Sequence, residues 1–585
     1  MTNDLKNKKE IKDNSKKNPG NASLPNTDVI NLILKESKAY TSMELVNSYI
    51  SKGESLEKLP VQPLYVSIKA LPIEVKTHAL SLLSKEQRET FYDIDLWSKD
   101  DLDINEFSSW VSSVAKSPDD HIRYEFIESD QFILFLKGRF NVWTFDVEDP
   151  EYPDHDNYFL TEDNLLLFEF DEENEIVDEV RQLIRDLYTN VGVEKAYQHL
   201  FKMISEDYMI YNENQYQAKK ERLREYGFVD YFDALEVMNA FPSISHIDFF
   251  IKKREPLTGN ISTLGKLQTL HQNSIIAFEK NSGSIHEELS KVSDEKRFNY
   301  LHFNFIRMLN ASMEYYGVLK DGPVAMTRIG NQNRELVLLG MSYINEQRSF
   351  DNESLFDYFD FTDIYKIGNS LIRILQKDVK KALRNNLMED STDNFLGASF
   401  DLFLDDFFSD LVKYRDDDNK IVVVNNAEVW RKLQSKCNLL RELMPFIKGL
   451  KETYLSLKDD GLLSDNYYLN YDVNSIDFEA IILSTFINFS LEKFKKDESR
   501  KMGVSIEEFK DFLGKSKLSE GIFDNPYIKE KIVLFAQTFG LDKIDNIHAY
   551  IMKILHDHLS GYEFENLRDD EFKHIGGPII FNTLS

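Results

Sequence analysis

Residues 62–114 constrain the fold most, because they carry several short apolar stripes at helical spacing, each with its own start signal. Apolar side chains fall on one helical face after Pro72, a residue suited to the first turn of a helix. Residues 84–87 (SKEQ) and 103–106 (DINE) each have the spacing of a capping box, which starts a helix. Helices this short are unstable alone in water. The stretch therefore predicts a stack of short helices.

The centre of this stretch is the run 93–97 (DIDLW), an aromatic residue with carboxylates at a predicted helix end. Aspartate favours helix ends, so the structural interpretation of Asp93 and Asp95 is capping and solvation. The alternative is an acid pair for a metal ion or a cationic partner. Trp97 is expected to be structural, buried at the joint between two helices.

Several stretches give the chain a resemblance to a known family. They are residues 64–65 (LY), 84–87 (SKEQ), 93–97 (DIDLW) with Asp100, 226–231 (YGFVDY) with 234–236 (ALE), 314–318 (EYYGV) and 574–578 (HIGGP). On these stretches, which span most of the chain, it resembles an uncharacterised bacterial family known as a domain of unknown function. The helix pattern of residues 62–95 is also similar in shape to the cytoplasmic N-domain of MgtE-type magnesium transporters. The first resemblance implies no activity, and the second is a similarity of shape.

Composition limits the class of protein. With 42% hydrophobic residues but only 14 Pro and 23 Gly, the chain has material for buried cores and favours helices over turn-rich sheets. A net charge of −30 repels phosphate groups, so we expect no nucleic acid and no anionic lipid as partner. The one cysteine, Cys437, permits no internal disulfide and suits a reducing compartment. The longest apolar run, 478–491, is too short for a membrane span. These features predict a cytoplasmic protein.

The predicted fold is mainly α, a multidomain stack of short helix pairs that is superhelical and repeat-like, with a small β-hairpin insertion. Residues 1–25 form a Lys-rich arm with a local charge of +3, which is expected to be disordered. An N-terminal helical domain is expected over 26–257, with an acidic hairpin insertion near 131–172. A central helical domain over 264–385 and a C-terminal helical domain over 395–585 complete the division.

Periodicity alone does not decide the secondary structure of the whole insertion. Residues 132–136 and 142–145 are consistent with strands or with the end of a buried helix, whereas 158–160 and 165–170 predict a hairpin. Residues 146–175 contain thirteen Asp or Glu and no Lys or Arg. They form a solvated surface, a weak divalent-cation site or a docking face for a basic partner. The candidate partner-binding residues are Asp154, Asp156, Glu162 and Asp163.

One compact basic patch follows on a predicted polar helix over residues 215–226. It carries Lys219, Lys220, Arg222 and Arg224. Charge at this density on a polar helix is typical of a solvated face. Gly227 is expected to end the helix in the left-handed conformation, as a structural residue.

The familiar catalytic and nucleotide-binding motifs are absent from the sequence: it has no phosphate loop, no H-E-x-x-H and no nucleophile elbow. His548, His556 and His558 are the candidate metal ligands, although their spacing is poor for one site. The turn around Gly577 is expected to dock the chain terminus. Cys437 is expected to be a core residue.

These features favour an interaction or regulatory protein that binds protein partners through its helical and acidic surfaces, without a cofactor. One alternative is a metal-dependent enzyme of unknown reaction. The other is a divalent-cation-responsive regulatory module. No motif in the sequence decides among the three.

Overall fold

The structure is a computed structural model of the whole chain, and helices dominate it. It describes residues 39–59, 61–173, 175–205, 208–257, 284–350, 353–386, 395–416, 420–459, 476–493, 503–516, 523, 525–560 and 579–581. The predicted Lys-rich arm, the turn around Gly577 and the expected boundary at 258–263 lie outside these residues.

The secondary structure confirms a mainly α protein with small antiparallel sheets. The helices are α1 (Ala39–Lys52), α2 (Val61–Lys69), α3 (Ile73–Leu80), α4 (Lys85–Leu96), α5 (Ile104–Ala115), α6 (Asp120–Ile127), α7 (Asp130–Arg139), α8 (Val177–Val191), α9 (Val193–Ser205), α10 (Tyr208–Glu225), α11 (Tyr231–Met238), α12 (Ile244–Lys253), α13 (Ser284–Leu289), α14 (Glu295–Tyr316), α15 (Pro323–Gln347), α16 (Phe361–Asn385), α17 (Ala398–Phe408), α18 (Ala427–Asp459), α19 (Phe478–Ser490), α20 (Ile506–Ser516), α21 (Pro526–Thr538) and α22 (Ile547–Leu559). The strands are β1 (Trp97–Ser98), β2 (Asp101–Leu102), β3 (Asn141–Thr144), β4 (Tyr158–Leu160), β5 (Leu166–Glu169), β6 (Lys413–Arg415) and β7 (Ile421–Val423).

Local start signals explain where the first helices begin. At α4, the Ser84 hydroxyl accepts a hydrogen bond from the Gln87 N–H, and the Ser84 N–H donates to the Gln87 side chain at 3.0 Å. This is the predicted capping box. At α5, Asp103 accepts from the Glu106 N–H at 3.1 Å, but Glu106 pairs with Lys69 instead of returning a bond to the cap. The second box is therefore only half formed.

The acidic insertion is a three-stranded sheet rather than a two-stranded hairpin. Residues 132–136 lie in α7, whereas residues 141–144 form strand β3. The sheet order is β3-β5-β4, both pairings are antiparallel, and Phe168 of β5 lies opposite Val142 and Phe159. Two strands alone would have only marginal stability in water. With the third strand, both edges of the central strand β5 are hydrogen-bonded.

The chain forms two compact units, each assembled from discontinuous segments. Unit 1 contains residues 1–238, 255–333 and 351–362. Unit 2 contains residues 239–254, 334–350 and 363–585. The two units have boundaries that differ from the three-domain division predicted from the sequence. That division stays a prediction.

The core of unit 1 is an aromatic cluster between α4, α5, α6 and α7. Tyr92 packs edge-on against Phe107, Trp110 and Phe126, with ring centroids 5.0–6.0 Å apart. The apolar stripe of α8 (Val180, Leu183, Ile184 and Leu187) is buried as its helical spacing predicts.

Unit 2 depends on a close approach of two long helices. A side chain at Gly340 of α15 would collide with the Ile364 carbonyl of α16, and one at Gly368 would collide with the Leu336 carbonyl. Glycine at both positions lets the two backbones touch. Trp430 of α18 is fully buried and donates a hydrogen bond to the Leu371 carbonyl at 3.2 Å.

A search of the described helices for a membrane span found none with both the length and the apolar character that a bilayer requires.

Candidate functional site

An open groove crosses unit 1 between α4 and α6. Its volume is about 760 Å³. The turn before α4, the first two turns of α4, the length of α6 and the start of α7 line it, and Arg222 of α10 reaches it from the side. A volume in this range is typical of ligand sites, but the lining is polar where small-molecule sites are mostly apolar.

Arg88 fixes the geometry of the groove. Its guanidinium binds the carboxylate of Glu125 with three contacts of 2.8–3.1 Å and donates to the carbonyls of Leu80 and Leu83 at 3.0 and 2.6 Å. Both partners are largely buried, and a planar guanidinium matches a carboxylate bidentately. This arrangement joins α4 to α6, and the carboxylate of Glu125 neutralises the positive charge of Arg88.

The groove is strongly acidic. Seven carboxylates line it, namely Glu57, Glu86, Glu89, Asp119, Glu125, Glu128 and Asp130. The basic residues of the lining are Lys85, Arg88 and Arg222. Arg88 is taken by Glu125, and Arg222 by Asp93, so neither offers its charge to a ligand. Burial among these acids raises the pKa of Glu89 above its ordinary value.

Beneath the groove, Asp93 and Asp95 contradict their interpretation as solvated capping residues. Both are fully buried. Asp93 accepts hydrogen bonds from Arg222 at 2.8 and 3.0 Å and from Gln131 at 2.8 Å. A buried carboxylate is tolerable only when it is paired and hydrogen-bonded, and the cation comes from a helix distant in sequence. The alternative was an acid pair that faces a cationic partner. The chain itself supplies that cation, because Arg222 pairs with Asp93.

Asp95 has an equally complete set of partners. It accepts from the Tyr65 hydroxyl at 2.6 Å and from the Trp110 indole, and it pairs with Lys69 at 2.6 Å. Burial, together with Asp95, raises the pKa of Tyr65 well above its ordinary value. Asp95 therefore fastens α2, α4 and α5 together.

The basic helix α10 is only in part the solvated face that its composition predicted: Arg224 is exposed, whereas the other three basic residues are paired or buried. Arg222 is bound to Asp93, Lys220 pairs with Asp230, and Lys219 is buried against Trp97 and Tyr216. The helix lacks an apolar stripe, so its cations attach it to the acidic interior instead. Gly227, after its end, has a φ of 79° and lies beside Ile306 of α14.

Three of the stretches that carry the family resemblance, 93–97, 226–231 and 314–318, meet around this helix. Tyr65 binds Asp95, and Trp97 is buried, 4% exposed, beneath Lys219. Asp230 pairs with Lys220, and Glu314 of α14 acts electrostatically on Lys219. Spacing along the chain gives no hint that segments more than two hundred residues apart converge on one lysine.

The predicted partner-binding residues of the acidic insertion have different surroundings. Asp154 and Asp156 are exposed. Glu162 pairs with Arg185 at 3.0 Å on the surface. Asp163 accepts from Thr161 at 2.7 Å and from Tyr188 at 3.0 Å, so it stabilises the turn before β5.

The structure does not bring the three candidate metal ligands of unit 2 together. His548 is exposed, and His556, two helical turns away on α22, packs edge-on against Phe523. His558 uses its Nε2 for Glu479, at 2.6 Å. Within the described part of the chain, no three His, Cys, Asp or Glu side chains are grouped to hold a metal ion.

A buried acidic cluster surrounds that histidine in unit 2. Glu479 is fully buried and also accepts from the Ser399 N–H at 3.1 Å. Burial raises the pKa of Asp477 and of Asp401 to about 6. The hydrogen bond to Glu479 raises the pKa of His558 above its ordinary value. Cys437 of the same unit is buried, which raises its pKa to about 12 and makes it a poor nucleophile.

A protein-family model matches the part of the chain that contains the groove. The model of a family of unknown function, DUF6178, matches residues 30–416. The searches of curated proteins and of solved structures returned no match. The similarity of residues 62–95 to the N-domain of MgtE-type transporters therefore stays a prediction.

Proposed function

The chain belongs to the DUF6178 family, and because that membership assigns no activity, we propose a function from the groove itself: unit 1 is a docking module that captures a positively charged segment of a protein partner. The observation that carries this proposal is the excess of carboxylates over cations in the groove, whose two arginines already pair with Glu125 and Asp93. The single buried thiol of Cys437 suits a reducing compartment, and we place the docking in the cytoplasm.

Three of the lining carboxylates, Glu57, Glu86 and Glu128, are exposed. A surface of one sign steers an oppositely charged partner and accelerates its association, and salt weakens this effect. Arginine is the best match for paired carboxylates, because its guanidinium donates in a planar fork.

The alternatives receive less support. A metal-dependent enzyme or a divalent-cation-responsive module needs clustered ligands, and the described residues hold no group of three that could bind an ion. The polar lining also differs from the apolar pocket usual for a small-molecule substrate.

The test uses fluorescence anisotropy with a labelled arginine-rich peptide and the full-length protein at low and high salt. The groove variant carries Glu57→Gln, Glu86→Gln and Glu128→Gln. Exposed ion pairs contribute about 0.5 kcal/mol each, so the triple variant should weaken binding roughly tenfold and flatten its salt dependence.

A matched variant makes the same change in charge outside the groove. It carries Glu151→Gln, Asp154→Asn and Asp156→Asn on the acidic insertion, where all three side chains are exposed. We expect this variant to retain binding within about twofold, since general charge attraction changes equally in both proteins. Loss of binding in this variant with retention in the groove variant would move the docking face to the insertion. Equal binding by all three proteins would refute docking through either surface.

A further inference from the structure

Strand β4 is an open edge of the three-stranded sheet in unit 1. Within the described part of the chain, it pairs with β5 on one side and with no strand on the other. Its hydrogen bonds to β5 reach beyond the strand itself. The Thr161 N–H donates to the Leu166 carbonyl at 3.0 Å. The Phe170 N–H donates to the Asn157 carbonyl, also at 3.0 Å. The paired edge therefore runs over residues 157–161.

The alternation of this ladder decides which main-chain groups are free. Asn157 and Thr161 turn theirs toward β5, and Phe159, midway between them, does the same. In an antiparallel pair, the residues in between point their N–H and C=O groups away from the partner strand. These are Tyr158 and Leu160, whose main-chain groups have no partner among the described residues. Strand β4 therefore presents donors and acceptors in the pattern that an added strand requires.

The sequence of the strand does not hinder such pairing. Natural edge strands are commonly blocked by proline, by charged side chains or by a bulge, because an exposed edge pairs with other chains. Residues 158–160 (YFL) include neither a charged residue nor a proline, and they pair with β5 in regular register. The edge of β4 therefore has the composition of an interior strand.

A small cavity lies beside this edge, between β4 and α8. Its volume is about 160 Å³, and it is lined by residues 159–162 and by Arg181, Ile184 and Arg185 of α8. Small-molecule sites typically span roughly 300–1,000 Å³, so this cavity suits a side chain of an extended segment better than a whole ligand. Peptides that add to a sheet edge place alternate side chains in such pockets. The cavity shares no lining residue with the groove between α4 and α6.

The charges in the cavity indicate which side chain it accepts. The Arg181 guanidinium lies 4.9 Å from the centre of the Phe159 ring, and no described carboxylate pairs with it. Arg185 pairs with Glu162 at 3.0 Å, but both side chains are more than half exposed, and exposed pairs of this kind contribute little. The lining therefore holds two arginines against one glutamate, a local excess of positive charge in a chain of net charge −30. A guanidinium matches a carboxylate in a planar fork.

We propose that an extended segment of a protein partner adds to the edge of β4 as a fourth strand and places a glutamate or aspartate side chain beside Arg181 and Arg185. The main chain of the segment pairs with the free groups of Tyr158 and Leu160. Hydrogen bonds along the edge give affinity, and the two arginines select the acidic side chain. This surface takes a partner segment of the opposite charge to the one proposed for the groove, and the two proposals are independent.

The test uses the full-length protein and a labelled peptide, TVTETV, with both ends blocked. Valine and threonine favour strands, and the glutamate supplies the charge. Hydrogen exchange, read residue by residue with mass spectrometry, is the direct readout. In the free protein the amides of Tyr158 and Leu160 should exchange at least about tenfold faster than that of Phe159, which is bonded to β5. The peptide at about 1 mM should slow both amides at least about fivefold and leave that of Phe159 unchanged.

Further comparisons separate the main-chain pairing from the choice of side chain. The neutral peptide TVTQTV should bind about threefold more weakly in fluorescence anisotropy at about 0.15 M salt, where the Debye length of about 8 Å screens the rest of the protein. Arg181→Gln should remove most of that difference. Leu160→Pro removes an outward N–H but no bond to β5, so it should abolish binding of both peptides, whereas Leu160→Thr should retain it.

Two results would overturn the inference. Unchanged exchange of the Tyr158 and Leu160 amides at about 1 mM peptide would exclude strand addition at this edge. Equal binding of the two peptides to the wild-type protein would exclude the preference for an acidic side chain. Because both readouts use the wild-type protein, instability of a variant cannot mask either result.

Discussion

Lys69 neutralises Asp95, a fully buried carboxylate of unit 1, and its removal tests the charged interior directly. Its Nζ pairs with Asp95 and with Glu106. The Lys69 side chain is 12% exposed and that of Asp95 is not exposed at all. In Lys69→Met, Asp95 keeps its hydrogen bonds from Tyr65 and Trp110 but loses its counter-charge.

The expected cost follows from burial. Removing one partner of a buried ion pair typically destabilises a protein by about 3–5 kcal/mol, and the two remaining donors place Lys69→Met near about 3 kcal/mol. The matched control is Lys85→Met, which breaks an exposed pair with Glu89 at 3.7 Å on the same helix and should cost about 0.5 kcal/mol or less. Adding Asp95→Asn to Lys69→Met should recover part of the loss, because no unpaired charge is then buried.

Urea unfolding followed by tryptophan fluorescence suits this measurement, because Trp97, Trp110 and Trp143 lie in unit 1 and Trp430 alone lies in unit 2. With an m-value of roughly 3 kcal/mol per M, Lys69→Met should lower the midpoint of the unit 1 transition by about 1 M. A midpoint shift no larger than that of Lys85→Met would refute the electrostatic account of this core.

Three further predictions concern other parts of the chain. Trp97→Ala should destabilise unit 1 by about 3–5 kcal/mol, measured in the same urea assay, because the buried indole supports Lys219. Unit 2 should be more stable near about pH 5 than near pH 8: Asp401 and Asp477 have folded-state pKa values raised to about 6, and that of His558 is also raised, so folding favours their protonated forms and this stability is lost as pH rises. Trp430 fluorescence in urea at both pH values checks this, and Asp477→Asn should reduce the difference. Elemental analysis of purified protein should find no stoichiometric transition metal, since the described residues form no ligand group.

Local patterns determined much of the secondary structure. The capping box at residues 84–87 depends on residues within one turn, and the structure has it as predicted. The same local rules left residues 132–136 undecided, since a short apolar run suits a buried helix or a buried strand. Packing against the aromatic cluster decides that they belong to α7.

The environment of each charge was decided by tertiary structure. Asp93 and Asp95 have the sequence context of solvated caps, and Lys219 and Arg222 that of a solvated helix face. Both aspartates and Lys219 are buried and Arg222 is half-buried, because segments far apart in the chain pack together: Arg222 is 129 residues from Asp93. Burial and counter-charge depend on the whole fold, so no window of sequence contains them.

The sequence by itself therefore determined a mainly α, acidic chain of short capped helices and the family to which it belongs. The acidic groove and the burial of Lys219 arise only when α4, α6, α10 and α14 pack. The physical reason is range: capping and hydrophobic periodicity act over a few residues, whereas the loss of water that alters a charged group requires segments from the whole of unit 1.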